Sequence, residues 1–97
     1  MKILGHEYDI IFDKQLDAKS GTVANCCSNI LRIKIDPTYP ASRIEEGLLH
    51  EIFEALKYHL NYGESMPHTM LSQLSEALYE VMKDNPDYFN FQVKITD

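Results

Sequence analysis

The dipeptides Asp36-Pro37 and Tyr39-Pro40 divide the chain into two parts with different hydrophobic periods, and that division limits the folds open to it. Proline gives no hydrogen bond to a ladder and pushes the residue before it away from helical backbone, so a strand stops at Asp36 and a helix can start only after Pro40. Before the break the pattern alternates: Ile30, Arg32 and Lys34 interleave with Leu31, Ile33 and Ile35, giving one mostly polar face and one apolar face. After the break apolar residues recur at helical spacing. The predicted class is α+β, a small antiparallel sheet of about three strands packed on two antiparallel helices.

In the first part, Lys2 to Phe12 reads as a strand, Asp13 to Gly21 as a loop, and Thr22–Cys27 and Ile30–Ile35 as two strands joined at Ser28-Asn29. The first helix is expected over 42–62, opened by the capping box Ser42-x-x-Glu45 and closed before Gly63. Leu48, Leu49, Ile52, Phe53, Ala55, Leu56 and Leu60 fill its apolar half, while Gly47, His50, Glu51, Glu54 and Tyr58 fall on the opposite half. The second helix is expected over 67–84, with Pro67 in its first turn and Ser65 able to cap it. Its apolar stripe holds Met70, Leu71, Leu74, Ala77, Leu78, Val81 and Met82, with His68, Ser72, Ser75 and Tyr79 along the margin. Residues 85–97 form a tail, in which 91–95 has the pattern of a strand.

Ninety-seven residues suit a single domain spanning 1–97. A net charge of −6 without clustered Lys and Arg argues against nucleic acid as a partner. No apolar run is long enough to cross a membrane, and Met1-Lys2-Ile3-Leu4 leads straight into Gly5, His6 and Glu7 rather than into a signal peptide, so the expected location is the cytoplasm. Cys26 and Cys27 are adjacent, a spacing that points neighbouring strand residues to opposite faces, and they are expected to be reduced thiols.

The chemistry concentrates in Leu48-Leu49-His50-Glu51-Ile52-Phe53-Glu54. His50 and Glu54, four residues apart, stack on one helix face where a metal ion could sit between them. A hydrolytic zinc site takes three protein ligands and keeps a fourth position for water. The third ligand is expected from the neighbouring helix, and His68 in its first turn has both the chemistry and the position. Glu51 follows His50 directly, where a His-Glu-x-x-His zinc peptidase keeps its general base. Ser72, one turn after His68, and Ser75 are candidates to orient a ligand. Gly47, one turn before His50, leaves room for a substrate or for the sheet edge.

The plainer reading is a solvated face, since carboxylates on helices are common and short motifs recur by chance. Against it, Tyr58 shares the face and few cations accompany these acids. His59 lies in the apolar stripe and is expected to pack there, bonded to the last helical carbonyls. His6 has no partner at metal-binding spacing. The two cysteines could reach a metal if the hairpin folds over the helix, although buried structural thiols are the commoner role.

Met1-Lys2-Ile3-Leu4-Gly5, the strand ending Ile33-Lys34-Ile35-Asp36, Leu48-Leu49-His50-Glu51-Ile52, and Ala77-Leu78-Tyr79-Glu80-Val81-Met82-Lys83-Asp84-Asn85-Pro86 together resemble a family, the small zincin-like metallopeptidase-type proteins of bacteriophages and prophages. The resemblance covers most of the chain. It implies a minimal zincin-like fold, one Zn²⁺ per chain and a peptide or protein as substrate or partner. Members of the family usually carry His-Glu-x-x-His on the first helix and an acidic residue on the second. Here Glu54 stands at the second histidine's position, Ser72 falls near the acid's, and His68 lies one turn before it, a pattern of exchanged ligands. Two readings stay open: a zinc peptidase that aligns an extended peptide along the sheet edge, and a zincin-like binding module whose metal is structural or absent.

Overall fold

A computed structural model describes residues 1–89. The α+β class holds: five short strands and three helices occur among the described residues. The strands are β1 (Lys2–Ile3), β2 (His6–Glu7), β3 (Asp9–Phe12), β4 (Ala24–Cys27) and β5 (Arg32–Ile35), and the helices are α1 (Leu16–Ser20), α2 (Ala41–His59) and α3 (His68–Asp84). The strand expected over 91–95 lies outside the described residues.

The single strand expected over 2–12 is broken into three pieces. Leu4 and Gly5 both take positive φ, 50° and 82°, the backbone of a tight hairpin turn that folds β2 back on β1, with Lys2 opposite Glu7. Tyr8, 1% exposed, then drives into the core, and β3 leaves as a separate strand. The loop expected over 13–21 contains α1, closed by Gly21 in the left-handed region.

The three-stranded sheet has the order β3-β5-β4 and is mixed, not wholly antiparallel. β4 and β5 form the expected antiparallel hairpin, with Cys26 opposite Ile33, turning through a 3₁₀ turn at Ser28–Ile30. β3 pairs parallel to β5, Ile10 opposite Ile33 and Phe12 opposite Ile35. The chain leaves β3 through α1 and enters the far edge as β4, so the hairpin return fills the middle in the direction of β3. β5 is therefore central. Its alternation holds: Ile33 and Ile35 are fully buried, Arg32 and Lys34 half-buried.

After β5 the buried Asp36 carboxylate accepts hydrogen bonds from the Thr38 amide (2.9 Å), the Thr38 hydroxyl (2.6 Å) and the Asp17 amide of α1 (3.2 Å). Those donors, the Thr38 bonds first, hold its carboxyl below the usual carboxylate range. The expected caps do not form. α2 starts one residue earlier, at Ala41, and the Pro40 carbonyl accepts from the Arg43 and Ile44 amides, while Ser42 caps nothing. Pro67 plays the same part for α3, preceding the helix instead of lying in its first turn, and Ser65 does not cap it. Extended ψ at each proline (149° and 153°) aims its carbonyl into the first helical turn. α2 ends at His59 rather than at 62, because Asn61 takes the left-handed conformation (φ 63°) that ends helices.

α2 lies across β4 and β5, burying Ile44, Leu48 and Ala55 with Ile3, Tyr8, Ala24, Ile33 and Ile35 in one core cluster. At Gly47 a Cβ would stand 3.0 Å from Val23 Cγ1, so the missing side chain lets the helix approach the sheet edge. α3 folds back along α2. Tyr79 donates to Glu45 Oε1 at 2.9 Å, and Lys83 reaches the same oxygen at 3.2 Å. The α3 stripe is buried only in part: Leu71 is fully covered, whereas Met70, Leu74, Leu78 and Val81 are exposed. The line that meets α2 runs instead through Leu71, Ser75 and Tyr79.

Candidate metal centre

Glu46, His50 and Glu54 succeed one another at four-residue intervals on α2, and His68 begins α3 where the helices meet. One ligand atom from each of His50, Glu54 and His68 lies within 4.8 Å of the others, so this group can hold a metal ion. The rings of His50 and His68 stand 5.3 Å apart at 66°. The three residues put forward from sequence as ligands are thus brought together.

Glu54 Oε1 is buried with no hydrogen-bond partner. A buried carboxylate oxygen left unpaired costs on the order of 1–3 kcal/mol, which a cation beside it would offset. Burial holds the His50 imidazole below its usual pKa, outweighing the opposing pull of Glu54, so the ring favours the neutral form in which histidine ligates. Two imidazoles and a carboxylate suit a divalent transition ion and leave a coordination position open.

Glu51 does not sit where the helical projection put it. It is 8% exposed, in line with Ile44, Leu48 and Ala55 at intervals of four, three and four residues, the line that faces the sheet. Its carboxyl has no hydrogen bond among the described residues. Burial, and after it the charge of Glu54, pushes the Glu51 pKa up to about 7. A carboxyl poised there can give or take a proton near neutral pH.

The cluster lies between two clefts. One, of about 340 Å³, is lined by His50, Glu51 and His68 together with Arg43, Glu46 and Glu76. The other, of about 790 Å³, opens between Cys26–Asn29 and the end of α2, with Glu54 and Tyr58 in its wall. Among the described residues β4 is an edge strand; Ala24 lines the smaller cleft and Cys26 and Cys27 the larger, so it runs past the candidate ligands from one to the other.

Ser72 Oγ lies 3.4 Å from His68 Nε2, and Ser75, fully buried, donates to the Ser72 carbonyl at 3.0 Å, touching the neighbour of the ligand and not the ligand itself. His59 packs as expected, but its partner is Tyr8, whose hydroxyl lies 2.6 Å from Nε2, and not the helical carbonyls. His6, which sequence left unpartnered, stacks on His59 with centroids 4.1 Å apart. Both cysteines are free: Cys26 is half-buried and Cys27 exposed, not buried. Burial, and the nearby charges of Glu51 and Glu54, raise the Cys26 thiol, opposed by its bond to Ser28. Glu46 and Glu76, whose charges act on His50, were not singled out from sequence; their four-residue spacing from His50 and Ser72 was the available signal. Compared with family models, with curated proteins and with solved structures, the chain matches none.

Proposed function

We propose that this chain is a zinc-dependent hydrolase of the metallopeptidase type. One observation carries the reading: two histidines and a glutamate from separate helices converge, one carboxylate oxygen buried without a partner, beside a second buried glutamate. His50, Glu54 and His68 would hold the ion. Zinc, when bound, acidifies water and polarises a carbonyl. Glu51 would accept the proton of the attacking water on its carboxylate and return it to the leaving amine, a transfer suited to a pKa near neutrality. Ser72 would steady the His68 ring.

The substrate is an extended peptide. Among the described residues β4 is an edge strand beside the candidate ligands, and a strand added to it would pass from one cleft to the other with its carbonyls near the cluster. The setting we infer is the cytoplasm of a bacterium or phage-infected cell. No helix among the described residues is long and apolar enough to cross a membrane. A non-catalytic module of the same fold is the second reading, favoured by the apolar residues that α3 leaves exposed.

The test is metal content followed by a peptide-library screen of the zinc-loaded protein. Cleavage that vanishes in Glu51→Gln, with zinc retained, supports the peptidase. Retained zinc without cleavage of any peptide leaves the module with a structural metal, and protein that takes up no zinc overturns the peptidase and leaves the metal-free module.

A further inference from the structure

Met70, Leu74, Leu78 and Val81 are between 37% and 50% exposed and follow one another on α3 at intervals of four, four and three residues. Together with Ala77 they span about 100° of the helix, adjoining the line that meets α2 at Leu78 and Leu71 and centred about 110° from it. This is the apolar width of a core-facing helix, yet among the described residues nothing covers it. The outer border of the arc is Gln73, Glu80 and Asp84, with no cation. Lys83, on the opposite side, is tied to Glu45.

Two features of the face select its occupant. Its extent from Met70 to Val81 is about 17 Å by roughly 10 Å, or on the order of 170 Å². A stable pairing of two copies needs about 800 Å² from each, so this face alone is too small to make a lasting dimer. It fits a single helix laid alongside. The acidic border, on a chain of net charge −6, complements basic residues beside the apolar stripe of that helix. We infer that this side of α3 docks an amphipathic helix with a basic flank, supplied by another protein. The inference does not depend on the metal site, which lies on the α2 side of α3.

The test uses the full chain and a synthetic helical peptide of about 17 residues, leucines on one face and lysines elsewhere. Controls are the same composition scrambled and a glutamate-for-lysine version. Binding is followed by fluorescence anisotropy and by amide shifts. The expected result is saturable binding of the lysine peptide alone, with shifts concentrated on Met70, Leu74, Ala77, Leu78 and Val81. The pair Leu74→Gln and Leu78→Gln, and separately the pair Glu80→Lys and Asp84→Lys, should each weaken binding about tenfold, equivalent to about 1.4 kcal/mol. These sites are exposed, so circular dichroism should show the variants folded. Equal binding of the scrambled peptide, shifts centred elsewhere, or no binding would overturn the proposal. So would concentration-dependent broadening of the same signals without peptide, which would make the occupant a second copy.

Discussion

The imidazole of His50, in the middle of α2, faces that of His68, the first residue of α3, at 5.3 Å and 66°. The two helices therefore offer nitrogen donors to one point, with Glu54 as the oxygen donor. Purified protein is expected to bind about one zinc per chain, and His50→Ala or His68→Ala to abolish tight binding. Ser72→Ala should weaken it roughly tenfold, the lower end of what a residue behind a ligand contributes. Titration calorimetry with zinc reads all three; unchanged affinity in His68→Ala would remove that residue from the site.

Glu51 links stability to pH. Its folded pKa, about 7, lies above the ordinary 4.5. The stability that its protonated form contributes is fully present below 4.5 and is lost as pH rises through about 7. Metal-free protein should weaken over that window, and Glu51→Gln should stay flat, ending about 2 kcal/mol more stable than the parent at slightly alkaline pH. Urea melts of chelated protein at each end of the window decide it. Parallel profiles would mean that Glu51 is not buried as described.

Tyr79 joins α3 to α2 through Glu45, and burial followed by that hydrogen bond pushes its pKa up to about 12. Tyr79→Phe should cost about 1 kcal/mol, since Lys83 still satisfies Glu45. Lys83→Met in the same background should cost more than the sum of the separate changes, because Glu45 then loses both partners. A double-mutant cycle in urea measures the excess.

A Cβ at position 47 would stand 3.0 Å from Val23 Cγ1, closer than an ordinary contact, so the valine would have to yield. Gly47→Val should destabilise by about 2 kcal/mol through overpacking against β4. In a Val23→Ala background, Gly47→Ala should instead become neutral or favourable, as helix propensity takes over. If Gly47→Val proves harmless in thermal melts, the helix does not approach the edge this closely.

The His59 ring, stacked on His6 and bonded to Tyr8, is held below the usual histidine pKa by burial first and by the charge of His6 second. What the neutral ring contributes is present above the ordinary value near 6.5 and lost as pH falls through the lowered one. In an NMR titration His6→Ala should move the His59 midpoint upward; a midpoint that does not respond would rule out the stack in solution.

The helices, the β4–β5 hairpin and the convergence of His50, Glu54 and His68 were legible because each rests on local spacing: alternation in 30–35, four residues between His50 and Glu54, and a short connection before His68. The misreadings have separate causes. Glu51 was placed by helical projection in the polar half, although it continues the Ile44, Leu48, Ala55 line, and tertiary packing decides which of two adjacent lines faces the sheet. The parallel pairing of β3 depends on a strand some twenty residues away, which no window of neighbours contains. The turn at Leu4-Gly5 went unread because leucine rarely takes a positive φ. Ser42 and Ser65 looked like caps, but the prolines beside the helix starts had already supplied the first acceptors.

All three candidate ligands come from residues 50 to 68, a stretch that closes on itself through one short turn, whereas the central strand gains its parallel neighbour only by joining distant parts of the chain. Near contacts are cheap in loop entropy and form quickly. A helical hairpin can therefore gather the ion while the sheet is still incomplete, and the order of assembly would become metal first, N-terminal strand last. Zinc would then speed refolding as well as raise the melting temperature, and in stopped-flow mixing the acceleration would disappear with His68.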